Sequence, residues 1–251
     1  MACIRFGKTH PELRRFDFCG IMPVTSFQRD FPMDDCVLCP GLCASRSHIV
    51  LPDLPEFGRA CPLLIIGEAP GGDEDAQGKG FVGRSGRTLH RVLQEHGLFR
   101  GYHYGCANIV RCRPPQNRKP TAEEIWNCLP LLVETIHFAK PRIFLLVGTT
   151  AAQAFFGASP LLERIHQLRM NAYRVDTSLV HPQLQGLFQR GYHPAAFVIP
   201  HTSPLAWNRK APNGRRWSDV GKQEIRTLAR RLHTLPEQGH ARGKSSLFAP
   251  E

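Results

Sequence analysis

The stretch Leu63-Leu64-Ile65-Ile66-Gly67-Glu68-Ala69-Pro70-Gly71-Gly72-Asp73-Glu74-Asp75 decides the fold. Four apolar residues that stop at a glycine read as a short strand buried on both faces, the habit of parallel sheets. The glycine-rich turn behind it resembles a phosphate cradle between strand and helix, but the residues do not fit one. A P-loop has four residues between its first glycine and Gly-Lys, and the position that far ahead of Gly78-Lys79 is Asp73. The carboxylates of Glu68, Asp73, Glu74 and Asp75 would also repel phosphate. An acidic loop at the carboxyl end of a parallel strand lies where open α/β sheets keep their sites; the plain alternative is a solvated acidic loop.

Outward from this stretch the pattern repeats. Leu89, Val92, Leu93 and His96 recur at helical spacing, and Ala107-Asn108-Ile109-Val110 reads as a second strand. Thr121-Ala122-Glu123-Glu124 is a capping box that opens a helix with Ile125, Cys128, Leu129, Leu132, Val133 and Ile136 on one stripe. Ile143–Val147 reads as a third strand, followed by a short helix to Phe156. Phe197–Ile199 reads as a fourth strand, and Ile225, Leu228, Ala229 and Leu232 mark a final amphipathic helix. Strands alternating with helices predict an α/β fold: three layers, with a central, short, mostly parallel four-stranded sheet flanked by helices. Residues 1–35 are expected to be an irregular N-terminal segment and 36–235 a single α/β domain with an insertion at about 158–196. Residues 236–251 are expected to be a disordered basic tail.

The chain has 251 residues, of which 42% are hydrophobic and 21% charged, so it is neither disordered nor collagen-like. No apolar run approaches the length of a membrane span, and the first residues lack the apolar stretch of a signal peptide. The expectation is a soluble intracellular protein, cytoplasmic or, in a prokaryote, nucleoid-associated. Lys and Arg number 32 against 21 Asp and Glu, a net charge of +11 that suits a polyanion, most often nucleic acid.

Nine cysteines exceed what packing needs in a reducing compartment, and metal ligation or reactive thiols lead the explanations. Cys36 and Cys39 form a CxxC, with Cys43 close behind. Cys112 and Cys128 lie farther along, Cys112 at a strand end and Cys128 on the next helix. Two local thiolates and two distant ones can close a zinc or iron–sulfur site, although Cys128 also lies on an apolar stripe and reads equally as a core thiol. Cys3, Cys19, Cys61 and Cys106 read as plain thiols. Asn108, near the end of the second strand, can project toward the same edge as Glu68. Phe81 sits on a glycine-flexed loop, packed locally or offered as a stacking platform. His201 follows the fourth strand and precedes Trp207, Arg209 and Lys210, an arrangement that fits a catalytic group beside a DNA-binding loop.

Together these segments resemble the uracil-DNA glycosylase superfamily, most closely its iron–sulfur branch, family 4. Gly67-Glu68-Ala69-Pro70-Gly71 with Glu74-Asp75 and Gly80-Phe81-Val82-Gly83 is similar to that branch's first motif. Asn108-Ile109-Val110-Arg111-Cys112-Arg113-Pro114-Pro115-Gln116-Asn117-Arg118 is similar to its second. The resemblance runs from about Cys36 to Phe156 and around His201. It implies an enzyme of DNA repair that flips a uracil, or another deaminated base, out of DNA and hydrolyses its N-glycosidic bond, leaving an abasic site.

The resemblance implies that Phe81 stacks on the base, that Asn108 reads uracil N3–H and O4, and that Glu74 closes the pocket near C5. His201 would stabilise the departing uracil anion, helped by the Glu68–Ala69–Pro70 turn. The branch's catalytic histidine usually stands in His-Pro-Ala, which His193-Pro194-Ala195 matches better in letters; His201 is preferred for its place after an apolar strand. Relatives with a water-activating Asp carry it where this chain has Ala69, so the general base is either Glu68 or none, with water merely oriented. Cys36, Cys39, Cys112 and Cys128 fall where the branch holds a 4Fe-4S cluster, with Cys43 a substitute for Cys39. Arg118, Arg209 and Lys210 are expected phosphate contacts and Trp207 a wedge into the base stack, in a protein expected to be a monomer. The rival readings are an iron–sulfur protein that traps a modified base without turnover, and a zinc-bound nucleic-acid hydrolase, for which a carboxylate/His ligand set is lacking.

Overall fold

The computed structural model describes residues 36–56, 61–188 and 191–235. The segments expected at 1–35 and 236–251 lie outside the described residues, as do Cys3 and Cys19.

Leu63–Gly67 forms β1, Tyr104–Asn108 β2, Ile143–Val147 β3 and Ala195–Ile199 β4. They pair in the order β2-β1-β3-β4, and every pairing is parallel. Every strand residue is buried, which explains why none shows the polar alternation of a half-exposed strand. Side chains alternate between two cores. Leu64, Ile66, Phe144, Leu146, Ala196 and Val198 face one side, where Leu129 and Leu132 of α4 (Ala122–Ala139) and Phe155 of α5 (Thr149–Phe156) meet them. Leu63, Ile65, Tyr104, Leu145, Phe197 and Ile199 face the other, against Leu89 and Val92 of α3 (Arg84–Gln94) and Ile225 and Leu228 of α9 (Trp217–His233). Helices on both faces of one sheet make the expected three layers.

The remaining helices are short. α1 (Pro40–Cys43) lies in the cysteine segment and α2 (Gly72–Gln77) follows β1. α6 (Leu161–Met170) and α7 (Pro182–Gln185) precede β4, and α8 (Pro204–Trp207) follows it.

The α4 capping box forms as the sequence predicts. Thr121 Oγ1 accepts from Glu124 N at 3.2 Å, and Glu124 Oε2 accepts from Thr121 N at 2.8 Å. Two strand boundaries differ from expectation. The second strand begins at Tyr104, not Ala107, so Cys112 stands beyond its end. Gly105 is a poor strand former by composition, but a neighbouring segment needs it: a Cβ on Gly105 would lie 2.9 Å from Asp53 O. There Asp53 and Cys106 exchange backbone hydrogen bonds of 2.9 and 2.7 Å, which covers the free edge of β2. Ile109 and Val110 are not strand but still donate to Gly67 O and Glu68 O. The fourth strand starts at Ala195, and the expected insertion contains α6, whose Ile165 and Leu168 join the core.

Candidate active site

The carboxyl ends of four parallel strands bring Gly67, Asn108, Val147 and Ile199 to one edge of the sheet. Gly67 and Asn108 are direct register partners. A Cβ on Gly67 would lie 2.5 Å from Asn108 Oδ1 and 2.8 Å from Phe81 Cζ, so only glycine lets the amide and the ring meet over β1. From the other side, Asn108 Nδ2 is 3.8 Å from the Cβ position of Gly80. Asn108 is 9% exposed, and among the described residues no side-chain hydrogen bond takes up its amide. Phe81 holds φ at +59°, a left-handed conformation uncommon for so bulky a residue.

His201 lies across the edge, after β4. Gly148, at φ +88°, holds a backbone conformation that favours glycine, and a Cβ there would sit in ordinary contact, 3.6 Å from His201 Cβ. Ser203 N donates to His201 Nδ1 at 3.2 Å, which puts the proton of the neutral ring on Nε2. Desolvation by the surrounding wall holds the His201 pKa below its usual value, against the opposing pull of the Glu68 and Glu74 carboxylates. His193, the better match in letters, stands at the amino end of β4 and so at the opposite edge of the sheet from Asn108.

Three carboxylates of the acidic loop have separate partners. Thr150 Oγ1 of α5 donates to Glu68 Oε2, fixing the carboxylate nearest the strand ends. Glu74 accepts from Gly71 N at 3.1 Å and Gly83 N at 2.7 Å, bracing the two ends of its own loop. Asp75, 3% exposed, accepts from Ser47 N and His48 N and pins that segment to α2. Ala69 and Pro70 line the turn between β1 and α2.

The cation and wedge assignments are partly corrected. Trp207 is buried, its ring packed on α9 so tightly that a Cβ on Gly221 would fall 2.5 Å from it; it cannot enter a base stack. Leu205, two residues earlier, is 79% exposed. Sequence reading passed over it, yet Ser203-Pro204 is a helix-start signal that leaves the next residue outermost. Arg118 places both arms on Glu124, at 2.9 and 2.7 Å, where it supports the α4 cap. Arg209, Lys210, Arg215 and Arg216 are exposed around a tight turn in which Ala211 N donates to Arg215 O.

The cysteines come from three places. Cys36, Cys39 and Cys43 surround α1, Cys112 follows β2, and Cys128 lies on α4. N–H donors point at their sulfurs: Arg111 N at Cys128 Sγ (3.3 Å), Arg46 Nη1 at Cys112 Sγ (3.2 Å) and Asn127 Nδ2 at Cys39 Sγ (3.7 Å). Cys43 Sγ donates instead to Cys36 O at 3.4 Å. Among the described residues no three His, Cys, Asp or Glu side chains gather closely enough to close on one ion. Cys61 and Cys106 are core thiols, pushed up to about 12 by burial.

The chain is 44% identical over 92 residues to a type-4 uracil-DNA glycosylase of Pyrobaculum aerophilum, 37% of this chain and 46% of that protein. It is 38% identical over 120 residues to one of Thermotoga maritima (48% and 60%) and 36% over 137 to one of Archaeoglobus fulgidus (54% and 66%). The matches thus span about half to two thirds of those proteins. The family model that describes the uracil DNA glycosylase superfamily matches residues 55–221, from just before β1 into α9. On that match, which takes in the whole sheet and its carboxyl edge, the chain belongs to the uracil-DNA glycosylase superfamily.

Proposed function

We propose that the protein hydrolyses the N-glycosidic bond of uracil in DNA and leaves an abasic site. The observation that carries this reading is the meeting of Asn108 and Phe81 over Gly67, with the Nε2–H of His201 at the same sheet edge. A base stacked in DNA is out of reach of such a cleft, so it must be flipped into it. Phe81 then stacks on the ring. Asn108 Oδ1 accepts from uracil N3–H and Nδ2 donates to O4; cytosine reverses both atoms and leaves a buried amide unpaired, the costliest kind of mismatch.

When the C1′–N1 bond breaks, its electron pair stays on the uracil and the sugar becomes cationic. His201 Nε2–H donates to O2 of the departing anion, a contribution of the oxyanion-hole type. Water then bonds to C1′ and gives its proton up to the solvent, from which the released uracil anion takes one. Glu68, held at one oxygen by Thr150, keeps the other for orienting that water and for facing the cationic sugar. The double hold on Glu74 supports a role in shaping the pocket loop. Arg209, Lys210, Arg215 and Arg216 are the cations that fit phosphates, and exposed Leu205 replaces Trp207 as the side chain that fills the vacated stack.

The donor set suits an iron–sulfur cluster better than a single ion. A cubane holds its cysteines around several metal atoms, and N–H groups aimed at sulfur are the usual second layer of such sites. Cys36, Cys39, Cys112 and Cys128 would hold a 4Fe-4S cluster, with Cys43 turned away to the Cys36 carbonyl. Bound there, the cluster supplies a crosslink between the α1 segment, the β2 exit and α4, with no part in the hydrolysis.

Purified protein incubated with single- and double-stranded oligonucleotides carrying one uracil, then treated with alkali, tests the reading. Scission at uracil is expected, with His201→Ala and Asn108→Ala each slower by about a hundredfold or more. Absence of scission on either substrate overturns it.

A further inference from the structure

Behind Phe81, away from the base, lies a group of side chains that neither the base nor the phosphates would touch. Arg100 directs all three of its nitrogens inward. Nε donates to Asp53 Oδ2 at 2.6 Å, Nη2 donates to Gly80 O at 2.7 Å, and Nη1 stands 3.1 Å from His90 Nε2. The same His90 nitrogen is 3.1 Å from Phe81 O, and its Nδ1 is 2.9 Å from Tyr104 Oη. Asp53 is itself fixed by its backbone pair with Cys106.

The two carbonyls so held flank one residue. The peptide that carries Gly80 O sets φ of Phe81, and the peptide that carries Phe81 O sets ψ. A bulky side chain at φ +59° is strained and persists only where its surroundings over-determine it. We propose that Arg100, oriented by Asp53, and His90 are positioning residues that hold both peptide planes of Phe81 and so keep its ring against Gly67 and Asn108. This rests on the reading of Phe81 as the stacking platform for the base. His90 is suited to the place because burial and the neighbouring guanidinium keep it neutral, its pKa lowered to about 4. With its one proton on Nε2 the neutral ring donates to Phe81 O, and its Nδ1 accepts from the Tyr104 hydroxyl. α3 closes the site from the side: a Cβ on Gly86 would lie 2.1 Å from Phe81 O, so the turn has no room to relax that way.

The test uses Arg100→Met, which keeps the bulk and loses the donors, and His90→Gln, which keeps one donor, beside His90→Phe, which keeps none. Two quantities are read on the full chain at matched fractions folded. One is amide hydrogen exchange over 78–86, which does not depend on activity; the other is the single-turnover rate of uracil release from saturated single-stranded DNA. For Arg100→Met and His90→Phe, faster exchange confined to 78–86 is expected. Uracil release should be about tenfold slower, inhibition by free uracil weaker, and affinity for undamaged DNA unchanged. His90→Gln should recover most of the rate. Unchanged exchange in both variants overturns the proposal, whatever the activity. Faster exchange with undiminished uracil release also overturns it, because the network would then be structural only. A wild-type protein that releases no uracil overturns the functional reading and with it the link from Phe81 to a base.

Discussion

Protonation at His201 controls two bonds at once. Its Nδ1 accepts from Ser203 N, and in the proposed reaction its Nε2–H is the donor to the leaving base. A second proton would have to enter at Nδ1, which breaks the Ser203 bond and turns the ring. Because desolvation lowers its pKa, the neutral ring persists below the ordinary histidine range of about 6.5. The working form therefore exists above the lowered pKa and is lost as pH falls through it. The acid limb of the rate profile for uracil release is expected below pH 6.5, and it should vanish from the residual activity of His201→Ala. A limb at or above 6.5 would show a different group titrating.

Among elements, α8 and α9 carry the clearest consequence. The His201 loop is anchored by Thr202 Oγ1 to Ser85 O on α3 (2.9 Å) and by Trp207 on α9. Gly221→Ala sets a methyl 2.5 Å from the Trp207 ring, too close to fit without moving one helix. Overpacking of this kind costs about 1–3 kcal/mol. Both a lower melting temperature and a slower uracil release are expected, with affinity for single-stranded DNA less affected than rate. A fall in melting temperature alone would mean that α8 moves without carrying His201. This is also the scale at which the sequence was most and least informative. Buried parallel strands and the Thr121 cap were legible because local chemistry specifies them. That Glu68, Asn108 and His201 share one edge was legible because each follows or ends a strand; the stacking role of Phe81, between α2 and α3, was assigned only through the family resemblance. Trp207 was misread because an aromatic among cations looks like a DNA contact until a glycine fourteen residues on provides its socket. The start of β2 was missed because Gly105 is required by a crossing segment, and no periodicity records a contact with Asp53. Arg100 was invisible for the same reason, since its partners Asp53, Gly80 and His90 come from three separate stretches.

For the whole molecule, residues 36–56 run as a strap from the cysteines to the edge of the sheet. Their removal from the cysteine site by Cys39→Ser should abolish the broad absorption near 400 nm expected of a 4Fe-4S protein, while Cys43→Ser should keep it. Colour retained in Cys39→Ser and lost in Cys43→Ser would exchange the two ligands. Cys39→Ser should also lower the melting temperature more than it lowers uracil release. The strap explains why. After the thiols it is fastened at Ser47 and His48 by Asp75, at Val50 by a 2.8 Å bond to Arg111 O, and at Asp53 by Cys106 and Arg100. A climber's rope clipped at several points falls only as far as the next clip, and this chain is built likewise. Loss of the proposed cluster would free one short length, arrested at Asp75. On the proposed assignment, a lost cluster leaves the anchors at Val50 and Asp53 still holding.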